Sequence, residues 1–161
     1  MPGPPADPVD PDVDLHVPEQ RAELRRAPWA TLGAISAGGV LGALARYGLS
    51  TAFPYGPRDF PWPVFWVNVS GCLLIGVLMV LVAELRRVHR LVRPFLGVGV
   101  LGGYTTFSTY TVDVQRAVEH GAPRVGLAYL ALTLAAALAA VLAGARLTRA
   151  LVRRRAVRDA G

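Results

Sequence analysis

An all-α membrane protein with four transmembrane helices is what this sequence predicts, on three observations. Apolar residues fill 53% of the 161 positions and mean hydropathy is +0.40. Charged residues make up 17%, where a soluble domain carries roughly a quarter. The apolar residues gather into four blocks, each near the ~20 residues a helix needs to cross hydrocarbon. Each block must be helical, because hydrocarbon offers no partner for an exposed strand edge.

The elements follow in order. Residues 1–28 hold seven of the 13 prolines and six of the 11 acidic residues, too little apolar content for a core, and are expected to be a disordered tail. The tail lacks the basic start and apolar run of a signal peptide. The four expected spans are 29–49, 64–83, 95–112 and 125–145, charged only at Arg46. They form one membrane-spanning unit over 29–148, followed by an arginine-rich tail over 149–161. The connections 50–63, with four prolines, 84–94 and 113–124 are short, so no second domain is expected.

All 17 basic residues are arginines, and they flank the apolar blocks. That distribution suits a membrane protein better than a nucleic-acid binder, despite the net charge of +6. Thirteen fall on the side shared by both termini and the 84–94 loop, and four on the other or just inside it. The positive-inside rule therefore predicts cytoplasmic termini. Gly38 with Gly42, and Gly99 with Gly103, have the spacing that lets helix backbones approach closely in lipid.

Catalytic patterns are missing. His16, His89 and His120 are scattered without metal-ligand spacing, and the single Cys72 excludes a disulfide framework or a cysteine zinc site. The acids outside the tail fall outside the apolar runs, which argues against a proton-coupled transporter. The third block is the informative one. Paired glycines followed by β-branched and hydroxyl residues, Gly102-Gly-Tyr-Thr-Thr-Phe-Ser-Thr-Tyr110, make a poor continuous helix. A break near 102–106 would free carbonyls that require a cation, water or a neighbouring chain, while an intact helix whose small residues only allow packing fits the composition equally well.

That same string closely resembles the third-helix signature of the Fluc (CrcB) fluoride-specific ion channels. Gly38-Gly-Val-Leu-Gly-Ala-Leu-Ala-Arg-Tyr47 is similar to the family's first-helix motif and Asn68-Val-Ser-Gly-Cys-Leu-Leu-Ile-Gly76 to its second. Tyr129 and Thr133 stand where the fourth helix has a tyrosine and a hydroxyl residue. The resemblance runs from about residue 30 to 148, with four motifs in order.

The resemblance implies a passive channel through which cytoplasmic fluoride leaks out, lowering its toxicity. It implies two subunits, each of four transmembrane helices with a break in the third, packed antiparallel around one structural, non-transported sodium ion held by the Gly102 and Thr105 carbonyls. The fluoride pathway would run along Asn68, Phe107, Ser108, Tyr110, Tyr129 and Thr133, with Arg46 in a vestibule. An aromatic edge carries partial positive charge and can replace part of an anion's hydration. Neutral donors bind an anion yet release it. Asp113 falls where the family has an acid.

Two positions depart from the pattern. Tyr110 stands at the second pore phenylalanine, and Ala137 stands where many members have a serine, which shortens the polar track. The arginine bias favours a single orientation, so the expected dimer pairs this chain with an oppositely oriented paralogue ahead of a second copy of itself. A small multidrug-type exporter is the competing function, although residues 31–49 lack the embedded carboxylate it would use. A non-conducting assembly subunit of a channel pair is the other.

Overall fold

The computed structural model describes residues 28–84 and 89–159. Residues 1–27, which hold nearly all of the expected disordered tail, lie outside the described residues, as do 85–88 and 160–161. Six helical segments make up the fold: α1 (Pro28–Ala52), α2 (Trp62–Glu84), α3 (Arg93–Leu101), α4 (Gly102–Tyr104), α5 (Ser108–Glu119) and α6 (Pro123–Asp159). No strand occurs among the described residues.

Three of these helices are long and apolar enough to cross a membrane: Trp29–Ala52, Trp62–Glu84 and Pro123–Arg154. The third expected span is instead divided. Arg93–Leu101 is a wide π-type helix that passes into the short α4. Thr105 is then extended, with φ −76° and ψ 159°, and a new helix starts at Ser108.

The connection expected over 113–124 is shorter than apolarity implied. Residues 113–119 continue α5, because Tyr110, Asp113 and Ala117 repeat at helical spacing and bury one face. The turn back into α6 is made at Gly121, the one described residue with a left-handed φ of 78°. With 37 residues, α6 is about 55 Å long and exceeds a hydrocarbon core of about 30 Å. Much of the expected tail over 149–161 is therefore helical, a continuation of α6.

Packing divides the bundle into pairs, with α1 against α3 and α4, and α2 against α6, while α5 lies on α6. Glycine determines how closely the first pair can approach. A Cβ on Gly38 would meet the Phe95 carbonyl, and one on Gly42 the Val100 carbonyl. On the facing helix, a Cβ at Gly103 would strike the Gly39 carbonyl. The two spaced glycine pairs thus lie against each other. The α2–α6 pair uses the same device at Gly76 and Gly144.

Leucines along α6, including Leu127, Leu134, Leu138 and Leu142, stay exposed, as do Leu32, Leu41 and Leu44 on α1. Lipid or a partner subunit would cover such faces. The tightest core lies near the α1–α2 connection, where Val64, Tyr110 and Tyr129 are buried together.

Candidate functional site

The break between α4 and α5 is built by side chains. In a continuous helix the Thr106 N–H would bond the Gly102 carbonyl. Here it donates to Asn68 Oδ1 at 2.9 Å, and Asn68 Nδ2 donates back to the Thr106 carbonyl at 3.0 Å. Asn68 is buried on α2, so one amide side chain stands in for both helical hydrogen-bond partners of the Thr106 backbone. Thr106 Oγ1 then accepts from the Thr109 N–H at 3.1 Å, the geometry of a threonine N-cap.

Arg46 is tied to the same region. Its Nε donates to the Gly103 carbonyl at 3.2 Å, so this arginine is partly buried against the break. The carbonyls of Gly102 and Thr105 receive no backbone N–H from the described residues. Thr105 turns its own N–H and hydroxyl to the Leu101 carbonyl, at 3.0 and 2.9 Å.

Beside the break lies a cavity of about 230 Å³, lined by Asn68, Cys72, Thr105, Thr106, Phe107, Tyr110, Thr133, Leu134 and Ala137. Four of the six expected pathway residues, Asn68, Phe107, Tyr110 and Thr133, meet there. Phe107 presents its ring openly at 78% exposure, with the Tyr110 ring 5.8 Å away. Tyr110 is buried and donates its hydroxyl to the Leu130 carbonyl at 2.6 Å, so that hydroxyl is already engaged. Thr133 is buried with its Oγ1 unpartnered.

The other two stand apart from the cavity. Tyr129 is fully buried behind Tyr110, ring centroids 5.1 Å apart, with an unpartnered hydroxyl. Ser108 is exposed at the start of α5, 3.3 Å from Thr106 Oγ1.

Sequence reasoning had left several contributors out. Cys72 and Thr106 line the cavity. The Tyr104 hydroxyl meets Ser70 Oγ at 3.1 Å, bracing the break against α2. Asp113 was expected outside the spans and is instead 4% exposed, bonded by the Tyr55 hydroxyl at 2.8 Å. Hydropathy could not reveal this, since burial here depends on which face of α5 meets α6.

Residues 33–145 match the family model described as CrcB-like protein, Camphor Resistance (CrcB). The chain belongs to this family. It is 57% identical over 115 residues to "Fluoride-specific ion channel FluC 2" of Nocardia farcinica, covering 71% of this chain and 82% of that one. It is 48% identical over 130 residues to the Thermobifida fusca protein of the same name, covering 81% and 96%. The Rhizobium meliloti "Fluoride-specific ion channel FluC" is 42% identical over 120 residues, covering 73% and 95%. With its long apolar helices, the protein is a multi-pass membrane protein.

Proposed function

We propose that this chain is a subunit of a fluoride-selective channel, not an enzyme, through which fluoride leaves the cytoplasm passively. One observation carries the reading: a cavity beside a broken helix collects an open aromatic edge at Phe107 and an unpartnered hydroxyl at Thr133. The relatives' shared name, fluoride-specific ion channel, supports the choice of anion. Fluoride arriving there exchanges hydration for the Phe107 ring edge and for neutral O–H and amide N–H donors. Neutral donors hold the ion weakly enough to let it go. Arg46, tethered to the Gly103 carbonyl, supplies positive potential close to the break without entering the cavity lining.

In this reading α3, α4 and α5 together form the third of four transmembrane helices. Two subunits pack antiparallel, covering the apolar faces left open on α1. The oxygen-only donor set at Gly102 and Thr105 fits a hard cation such as sodium. The Gly102 and Thr105 carbonyls, which receive no backbone N–H from the described residues, would hold the ion as structural positive charge that is not transported. A second subunit supplies the remaining oxygens. The arginine split puts both termini in the cytoplasm, which favours an oppositely oriented paralogue as the partner over a second copy of this chain.

The competing assembly-subunit reading draws on Ala137, whose methyl lines the cavity one turn after Thr133. Fluoride efflux from liposomes containing the purified chain, alone and with a candidate partner, decides between them. Flux in either preparation is expected. Flux that appears only with the partner and survives Phe107→Ile in this chain assigns it the non-conducting role, and no flux in either defeats the channel.

A further inference from the structure

The 37 residues of α6 exceed what a bilayer requires, and the surplus is basic. Its uncharged stretch ends at Ala145. Arg146, Arg149, Arg153 and Arg154 follow, all exposed, and no acid occurs on α6 before Asp159.

Packing against α2 fixes which way this end of α6 faces. A Cβ on Gly144 would strike the Leu73 carbonyl on α2. Thr148, one turn later, is 7% exposed and turns its hydroxyl to the Gly144 carbonyl at 2.8 Å. At about 100° per residue, Arg146, Arg149 and Arg153 lie within about 60° of one another on the opposite side. Leu138 and Leu142, 56% and 52% exposed, occupy that same outward stripe closer to mid-membrane. The stripe thus changes from leucine to arginine where the uncharged stretch ends.

Along the axis Arg149 and Arg153 stand about 4.5 and 10.5 Å beyond Arg146. The headgroup layer that flanks hydrocarbon is about 5–7 Å deep on each side. Cα–Cβ bonds of a helix tilt toward its N-terminus, which for α6 is back toward the bilayer. Arg153 therefore leans into a layer that its own Cα has passed, and all three side chains reach phosphate depth. A guanidinium group grips phosphate oxygens in pairs through its planar fork. A net-negative headgroup complements three such charges, whereas a zwitterionic one brings a cation of its own into the stripe.

We propose that the outward stripe of Arg146, Arg149 and Arg153 is a docking surface for anionic phospholipid headgroups of the adjoining leaflet. Lipid that binds only the folded bundle stabilises it, so headgroups held on this stripe fasten α6 in its place on α2. The role is independent of conduction.

The test is thermal unfolding of the full chain, with whatever partner its assembly requires, in micelles of an uncharged detergent. Phosphatidylglycerol or phosphatidylcholine with the same acyl chains is titrated in. Phosphatidylglycerol is expected to raise the unfolding midpoint in a saturable way, and phosphatidylcholine to leave it in place. Replacing all three residues, by Arg146→Gln, Arg149→Gln and Arg153→Gln, should raise the half-saturating phosphatidylglycerol concentration about a hundredfold, each arginine contributing about fivefold. Arg124→Gln, exposed at the other end of α6, should keep the unsubstituted response. Raising salt from about 0.1 M to about 1 M should weaken the response of the unsubstituted protein, a readout that does not require the triple variant to fold. Equal stabilisation by the two lipids overturns the proposal, as does a triple variant that responds like the unsubstituted protein or a response indifferent to salt. Inorganic phosphate stabilising the chain as well as phosphatidylglycerol does would assign the stripe to a free anion and overturn the lipid.

Discussion

Asn68 on α2 and Thr106 in the break exchange two hydrogen bonds, Thr106 N–H to Oδ1 at 2.9 Å and Nδ2 to the Thr106 carbonyl at 3.0 Å. The break is therefore held open by a side chain 38 residues away. Asn68→Leu leaves both backbone groups unpaired, each costing about 1–3 kcal/mol. Thermal unfolding in detergent should show a loss of about 2 kcal/mol or more, and fluoride flux should disappear. Asn68→Asp keeps the acceptor for the Thr106 N–H but brings a charge to the cavity wall. It should unfold at an intermediate temperature while conducting no better than Asn68→Leu.

Phe107 separates conduction from folding. At 78% exposure it contributes little to the packing of this chain, so Phe107→Ile should change stability by no more than about 0.5 kcal/mol. Flux should nonetheless be abolished, because isoleucine has no positive ring edge to offer an anion. Liposome efflux alongside size-exclusion elution checks both halves; undiminished flux removes Phe107 from the mechanism.

Gly42 tests the α1–α3 contact. A Cβ there would strike the Val100 carbonyl and lie 2.7 Å from the Tyr104 nitrogen, and neither backbone group can swing aside. Gly42→Ala should cost about 2 kcal/mol or more through overpacking. On the same helix, a Cβ at Gly48 meets nothing within 4 Å, and Gly48→Ala should be neutral or stabilising by up to about 1 kcal/mol. Unfolding midpoints of the two variants, measured side by side, give the comparison.

Tyr55 sets an alkaline limit. Burial, then the hydrogen bond and charge of Asp113, push its hydroxyl up from the ordinary 10.0. The unfolded chain thus loses this proton at lower pH than the folded one, and stability must fall as pH rises past about 10. Below that value Tyr55 contributes no slope. Denaturation followed from pH 8 to 12 should show a shallower alkaline decline in Tyr55→Phe than in the unsubstituted protein. Identical declines would mean that the Tyr55 hydroxyl is neither buried nor bonded to Asp113 in solution.

The sequence already revealed much of the site. The paired Gly102 and Gly103 and the hydroxyl run after them left a break and an intact helix both open, because local propensity is a weak signal, and the motif resemblance selected the break. The glycine pairs at Gly38, Gly42, Gly99 and Gly103 marked close contact, although not that the pairs would face each other. Asn68, Phe107, Tyr110 and Thr133 were recognisable from motifs and do share one cavity. Hydropathy put Asp113 at the edge of a connection, since a charged residue after an apolar run looks like the start of a loop whichever way its helix turns, while the resemblance put it near the far end of the third helix, where α5 carries it.

Membrane character, the positions of the apolar blocks and membership of the family were decided by the sequence alone, for hydropathy and motif order are read along the chain. Which polar groups find partners was decided only by the fold. Asn68 reaches Thr106, and Tyr55 reaches Asp113 across 58 residues, because α2, α5 and the α1–α2 connection meet in one register. Shifting one of those helices by a residue would turn its side chains by about 100°. The free hydroxyls of Tyr129 and Thr133 depend on that alignment, and no local stretch of residues encodes it.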